Sequence, residues 1–219
     1  MIIANFKSNK NKSEISEWAQ KFQQLAPSIQ HSVVLCPPTP HLVAFETIRS
    51  ERISLGVQDI SSYPAGSYTG AVSTHNLVGF GVSAAIVGHS ERRSHFHETN
   101  QDIANKVREC IAAGLTPIVC VSASEVVATA NALDASERAK CVVAFEPIEH
   151  IGTGTSDTLT HILETKDQVI SAFGKVPYIY GGSVNLSTAP EILHSPEIDG
   201  FLVGSACLDA QTFHSLIQS

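Results

Sequence analysis

Eight short apolar runs recur along the chain, each stopping at a polar or glycine position: residues 2–6, 33–36, 53–58, 84–89, 117–121, 142–145, 178–181 and 200–203. This recurrence constrains the fold more than any other feature. Continuous Val/Ile-rich runs suit strands covered on both faces, as in a parallel sheet. Helical patterns fill the gaps between them. Ile15, Trp18, Phe22 and Leu25 share one helical face after Ser13 as a cap, and Thr39 and Pro40 open a second helix with proline in its first turn. Ile103, Val107, Cys110 and Ile111 form a stripe between Thr99 and Gly114. Leu159, Ile162, Leu163, Ile170 and Phe173 do the same between Ser156 or Asp157 and Gly174, and Phe213, Leu216 and Ile217 mark the tail. The helices after the third, fifth and seventh strands are expected to be short, with a brief one over 124–131. Strand and helix alternate eight times without a linker or low-complexity break. The expected class is α/β: a closed eight-stranded parallel (β/α)8 barrel, one domain over residues 1–219. A doubly wound open sheet is the alternative, but no G-x-G-x-x-G follows the first strand.

Charge narrows the ligand class. The formal net charge is −7 and no run of five or six basic residues interrupts it, which argues against nucleic acid or an acidic membrane as partner. An anionic ligand must then be held by a local site. Five cysteines (Cys36, Cys110, Cys120, Cys141, Cys207) are widely spaced, with no C-x-x-C and no His at ligand spacing, so reduced, buried thiols are expected and no metal site. The first residues turn polar too soon for a signal peptide, and no apolar run approaches membrane length; the expected location is cytoplasmic.

Barrel chemistry belongs at the carboxyl ends of the strands. Asn5 and Lys7 follow the first strand, His89, Ser90 and Glu91 the fourth, and Glu146 the sixth. Two glycine-rich turns, at 181–183 and 204–205, follow the seventh and eighth. Pro147 ends the sixth strand directly after Glu146, and Gly152-Thr153-Gly154 could approach a ligand closely or swing. Each has a plain alternative: a solvated turn at Glu146, a capping or packing role for His89, a surface charge at Lys7. At the ends of different strands of one barrel they point to one mouth carrying a base, an imidazole, an ammonium and an amide.

These residues resemble the triosephosphate isomerase family. The motifs are Asn5-Phe6-Lys7-Ser8-Asn9, Val87-Gly88-His89-Ser90-Glu91-Arg92-Arg93, Ala144-Phe145-Glu146-Pro147 with Ile151-Gly152-Thr153-Gly154, Tyr180-Gly181-Gly182-Ser183-Val184, and Asp199-Gly200-Phe201-Leu202-Val203-Gly204. They run in order from residue 2 to residue 208. The resemblance implies a TIM barrel that interconverts dihydroxyacetone phosphate and D-glyceraldehyde 3-phosphate through a cis-enediolate, in glycolysis and gluconeogenesis, without cofactor or metal. It implies Glu146 as the base, since one carboxylate spanning two adjacent carbons can remove and return a proton. It implies His89 as a neutral donor to the enediolate oxygens, kept uncharged if a short helix begins beside it. Lys7 would supply positive charge near the phosphate and the enediolate, Asn5 would support the oxygen site, and Glu91 would act with Lys7. Backbone N–H groups at Gly152, Ser183, Gly204 and Ser205 would grip the phosphate, under a lid over 147–155.

The resemblance also implies a homodimer, with Thr69, in a long third loop over 58–74, reaching the partner's active-site mouth. Four positions depart from the family's pattern. Glu149 stands for a tryptophan and Thr155 for a lysine at the lid hinges. Ser205 stands for a glycine, and Ala71 for a glutamate that would pair with Arg92 across subunits. The rival readings are an aldolase-like phosphate-binding barrel using Lys7 as a Schiff base, and a non-catalytic phosphosugar-binding barrel. A lysine amid polar Asn5, Ser8 and Asn9 does not look desolvated enough for the former.

Overall fold

The computed structural model describes residues 1–147 and 157–219. Eight strands close into one barrel in sequence order: β1 (Ile2–Asn5), β2 (Val33–Cys36), β3 (Ile53–Val57), β4 (Val82–Val87), β5 (Thr116–Val121), β6 (Val142–Phe145), β7 (Tyr178–Tyr180) and β8 (Phe201–Val203). All neighbours are parallel, and β8 returns to β1 with Ile2 opposite Phe201 and Ala4 opposite Val203. Every apolar run expected to be a strand is one.

Strand alternation divides the core in two. Ile3, Val34, Cys36, Ala84, Ile86, Ile118, Cys120, Val142, Ala144, Ile179 and Leu202 form one buried cluster, which by alternation fills the barrel. Their neighbours in sequence, among them Ile2, Leu35, Val143 and Phe201, face the helices in the larger cluster. Trp18 stacks on Phe22 there, and its indole N–H donates to the Cys207 carbonyl at 2.9 Å, tying the first helix to the last turn of the barrel.

The helices are α1 (Lys12–Leu25), α2 (Ser90–His95), α3 (Asn100–Ala112), α4 (Val126–Asn131), α5 (Ala135–Arg138), α6 (Leu159–Phe173), α7 (Ala189–His194) and α8 (Ala210–Ile217). Several boundaries differ from the sequence expectation. Asn11, not Ser13, caps α1: its side chain accepts the Ser13 and Glu14 N–H groups while Glu14 returns a bond to the Asn11 N–H. Thr158, rather than Asp157, caps α6; Ser156 lies outside the described residues. The segment after β2 is a 3-10 helix over Thr39–Ile48. It buries Leu42, Phe45 and Ile48, a spacing of three that matches three residues per turn. Two short helices, α4 and α5, fill the crossover where one was expected over 124–131. No helix among the described residues is long and apolar enough to cross a membrane.

Candidate active site

Alternation along the strands aims two polar residues inward at the barrel mouth. Asn5 continues the inner row after Ile3, and Glu146 continues it after Val142 and Ala144. Both are buried, Glu146 to 1% exposure. Burying a carboxylate costs free energy unless its oxygens find partners. One oxygen does: Glu146 Oε2 accepts the Ser90 backbone N–H at 2.8 Å. Oε1 lies 3.1 Å from His89 Nε2, but the ring N–H is not aligned on it, and that oxygen has no hydrogen-bond partner. The two side chains face each other at the barrel mouth.

Gly88, at φ +71, breaks the β4 alternation and lets the chain turn into α2. His89 becomes the cap of that helix, and its Nδ1 accepts the Glu91 N–H at 3.2 Å. An Nδ1 that accepts carries no proton, which assigns the ring proton to Nε2, the nitrogen beside Glu146. A short helix does begin beside the imidazole, the condition set from the sequence.

Lys7 Nζ donates to Glu91 Oε1 at 2.6 Å. Burial alone would push the Glu91 carboxyl up, but the hydrogen bond and the charge of Lys7 pull it down, and it sits below the ordinary glutamate value. The Lys7 N–H donates to Asn5 Oδ1 at 3.0 Å, which orients the Asn5 amide nitrogen away from the backbone. Asn5, Lys7, His89, Glu91 and Glu146 therefore form one connected cluster drawn from three strands.

A cleft of about 260 Å³ opens beside this cluster, lined by Lys7, His89, Ser183, Gly204 and Ser205 among others. Gly204 leaves room beside Lys7, since a Cβ there would stand 3.3 Å from Lys7 Cε, a tight contact that the lysine side chain would have to yield to. The turns after β7 and β8 thus share a cavity with the ammonium and the imidazole. Glu146 does not line this cleft. It lines a neighbouring one of about 210 Å³ with Ser122, Ser124, Phe145, Pro147 and His161, so the carboxylate stands behind the imidazole and not beside Lys7. Gly152, and with it the hinge positions Glu149 and Thr155, lies outside the described residues.

The third loop, over 58–74, carries an exposed Thr69. Tyr68, next to Thr69, stacks on Tyr63 with ring centroids 4.6 Å apart. Arg92 pairs within its own chain, with Asp59 at 2.9 Å and with Glu98, so Ala71 does not leave it unpaired. Sequence reasoning passed over Gln58, whose side chain donates to the carbonyls of Lys7 and Cys36 at 3.0 and 2.9 Å. Its position as the first polar residue after β3 is the signal that could have found it.

The sequence model of the triosephosphate isomerase family matches residues 1–219. Proteins named triosephosphate isomerase are similar throughout. That of Solibacter usitatus is 35% identical over 243 residues, covering 99% of this chain and 98% of its own. That of Herminiimonas arsenicoxydans is 39% identical over 213 residues, 85% of each chain. That of Colwellia psychrerythraea is 36% identical over 242 residues, covering 97% and 94%. With strand-end residues, barrel and whole-length similarity in agreement, the chain belongs to the triosephosphate isomerase family.

Proposed function

We propose that this protein interconverts dihydroxyacetone phosphate and D-glyceraldehyde 3-phosphate by proton transfer through a cis-enediolate. The observation that carries the reading is the pairing of a buried carboxylate with an unpartnered oxygen and an imidazole whose proton sits on the nitrogen facing it. The carboxylate of Glu146 takes a proton from C1 of the ketose and returns it to C2, so one group serves both carbons. As that proton leaves, negative charge collects on the substrate oxygens. His89 Nε2–H and the Asn5 amide face those oxygens, and the Lys7 ammonium balances the charge of phosphate and enediolate together. Glu91 holds Lys7 Nζ at the rim of the site.

The phosphate goes to the cleft lined by Ser183, Gly204 and Ser205, where backbone N–H groups bind it without requiring net positive charge on the protein. Ser205 is exposed, which leaves its hydroxyl room to turn from the anion. To reach a substrate in that cleft, Glu146 must leave the Ser90 N–H and swing past the imidazole. Lys7, paired with a carboxylate, lacks the free amine and apolar pocket that a Schiff base needs. Borohydride trapping with dihydroxyacetone phosphate is expected to leave Lys7 unlabelled. A coupled assay of the purified protein tests the activity itself; no turnover of either triose phosphate would overturn it.

The assembly we propose is a homodimer in which the third loop docks at the partner's mouth. Two features support it: the stacked Tyr63–Tyr68 tip, half exposed, and a surface cavity of about 520 Å³ lined by Tyr63, Ala71, Arg92 and Phe96 among others. A light-scattering mass near 23.4 kDa, that of one chain, would contradict it. The five free, buried cysteines suit a reducing compartment, and we assign the protein to the cytoplasm.

A further inference from the structure

We infer that Asp157 and His161 form a proton-exchange pair for Glu146, trading the hydrogen that the base holds for one from solvent. The inference rests on the reading of Glu146 as the base of the isomerase site. His161 lies in the first turn of α6, and its Nδ1 stands 2.5 Å from Asp157 Oδ2. The Asp157 carboxylate is fixed at its other oxygen too, since Oδ1 accepts the Thr158 N–H at 2.8 Å, and its side chain is only 6% exposed. The Asp157 N–H donates to the Tyr180 hydroxyl at 2.9 Å, which ties the residue to the end of β7. A carboxylate oxygen only accepts, so the proton of a neutral His161 ring sits on Nδ1, and Nε2 is left as an acceptor. The ring is held edge-on against Phe145, the residue before the base, with centroids 5.7 Å apart.

The pair shares a cleft with the base. His161 and Glu146 both line the cavity of about 210 Å³, together with Ser122 and Ser124. A water occupies roughly 30 Å³ in the liquid, so several fit between the two side chains. The cavity wall runs from dry to wet. Glu146 is 1% exposed, the Oγ of buried Ser122 lies 3.1 Å from that of exposed Ser124, and the His161 side chain is 44% exposed. Taking a proton from the substrate makes Glu146 a carboxylic acid. Back at its resting position, while the enediolate is bound, that acid gives the proton to a cavity water. The water passes one of its own to His161 Nε2, and the imidazolium releases it to solvent. The reverse path returns a solvent hydrogen to Glu146, so one hydrogen replaces another with no change in charge. An ordinary surface pair four residues apart would need neither a buried aspartate nor a ring lining the cleft of the base.

The test follows the transferred hydrogen. D-glyceraldehyde 3-phosphate is turned over in deuterium oxide to low conversion, and proton NMR counts dihydroxyacetone phosphate that carries deuterium against that which kept the original hydrogen. This ratio sets exchange at Glu146 against direct return, whatever the overall rate. His161→Phe keeps a ring against Phe145 and removes the acceptor. A positioned base speeds proton transfer by about 10²–10⁴, so the ratio of deuterated to unlabelled product should fall roughly threefold or more. Asp157→Asn keeps its oxygen on the Thr158 N–H, which turns its NH₂ to His161 Nδ1 and moves the ring proton to Nε2. It should act in the same direction, and it decides the matter if the phenylalanine variant folds poorly. A site merely loosened by either change admits more water and raises the ratio. A smaller fall, no change or a rise would each overturn the inference. If the wild type turns over neither triose phosphate, the isomerase reading and this inference fall together; turnover with an unmoved ratio overturns this inference alone.

Discussion

The Ser90 backbone N–H donates to Glu146 Oε2 at 2.8 Å, so the carboxylate proposed as base rests on the first amide of α2 and not on the substrate cleft. That bond belongs to the resting position alone. Ser90 is the first residue of the helix, where a proline is tolerated because the N–H has no helical partner. The preceding residue, His89, already has φ −52 and ψ 141, which a following proline favours. Ser90→Pro is therefore expected to fold normally and to change kcat/KM by about tenfold or less, as one charge-assisted bond of the resting state is lost. Steady-state kinetics beside a thermal melt checks both parts.

Lys7 trades stability for placement. Its positive φ costs about 1–3 kcal/mol, which glycine would not pay, although glycine adds roughly 0.5–1 kcal/mol of unfolded-chain entropy. The exposed part of the Lys7–Glu91 pair is worth at most about 1 kcal/mol. Lys7→Gly should thus unfold within about 1 kcal/mol of the wild type while losing about 100-fold or more in kcat/KM, the scale of one removed electrostatic group. Urea denaturation and the coupled assay, run on one preparation, separate the two effects.

A second charged cluster lies outside the site. Lys106 is buried between Asp59, at 2.5 Å, and Glu98, and both Lys106 and Glu98 side chains are under 10% exposed (5% and 7%). Glu98 Oε2 already lacks a hydrogen-bond partner. Lys106→Met would leave Asp59 and Glu98 sharing Arg92, and removing one partner of a buried charged group costs about 1–3 kcal/mol. Chemical denaturation should show that loss, and adding Glu98→Gln should recover part of it.

Acid should destabilise the protein. Glu91, Asp102, Asp134, Glu137 and Asp209 are held below their ordinary values. For Asp102, Asp134, Glu137 and Asp209 the causes are hydrogen bonds from Thr99, from Glu137 and Ser136, from Arg108, and from Thr212. For Glu91 burial pushes the carboxyl up, and the hydrogen bond and the charge of Lys7 pull it down. A lowered carboxyl stabilises the fold above its unfolded value and loses that contribution as pH falls through the folded one. Asp59 is shifted the other way, by burial against the pull of Lys106, so it favours the folded state as pH falls. The Met1 amino group, lowered by burial, loses stability as pH falls from about 8, and the five lowered carboxyls add a drop below about pH 4. A melting temperature that rises on acidification would contradict the balance.

Much of this architecture is written plainly in the chain. Runs such as Val142–Phe145 read as strands because both faces are covered, and Asn5 and Glu146 read as mouth residues because alternation continues past the last apolar position. Ends were harder. Asn11 and Ser13 are both good caps, and only the reciprocal bond from Glu14 decides between them. The 3-10 segment hides in Leu42, Phe45 and Ile48, whose spacing of three also fits one side of an α-helix. Two contacts of the site carry no side-chain signal in their partners. Glu146 is parked on the first backbone amide of α2, and Gln58 bonds two backbone carbonyls; none of these partners has a residue type to recognise.

The central claim is that Glu146 carries the proton between two carbons of a triose phosphate. Glu146→Gln keeps an oxygen for the Ser90 N–H, so the fold and the resting contact survive while the base is lost. In a coupled assay converting D-glyceraldehyde 3-phosphate to dihydroxyacetone phosphate, the variant should be slower by about 1,000-fold or more, within the range of a positioned general base. Equal rates for variant and wild type would contradict the account.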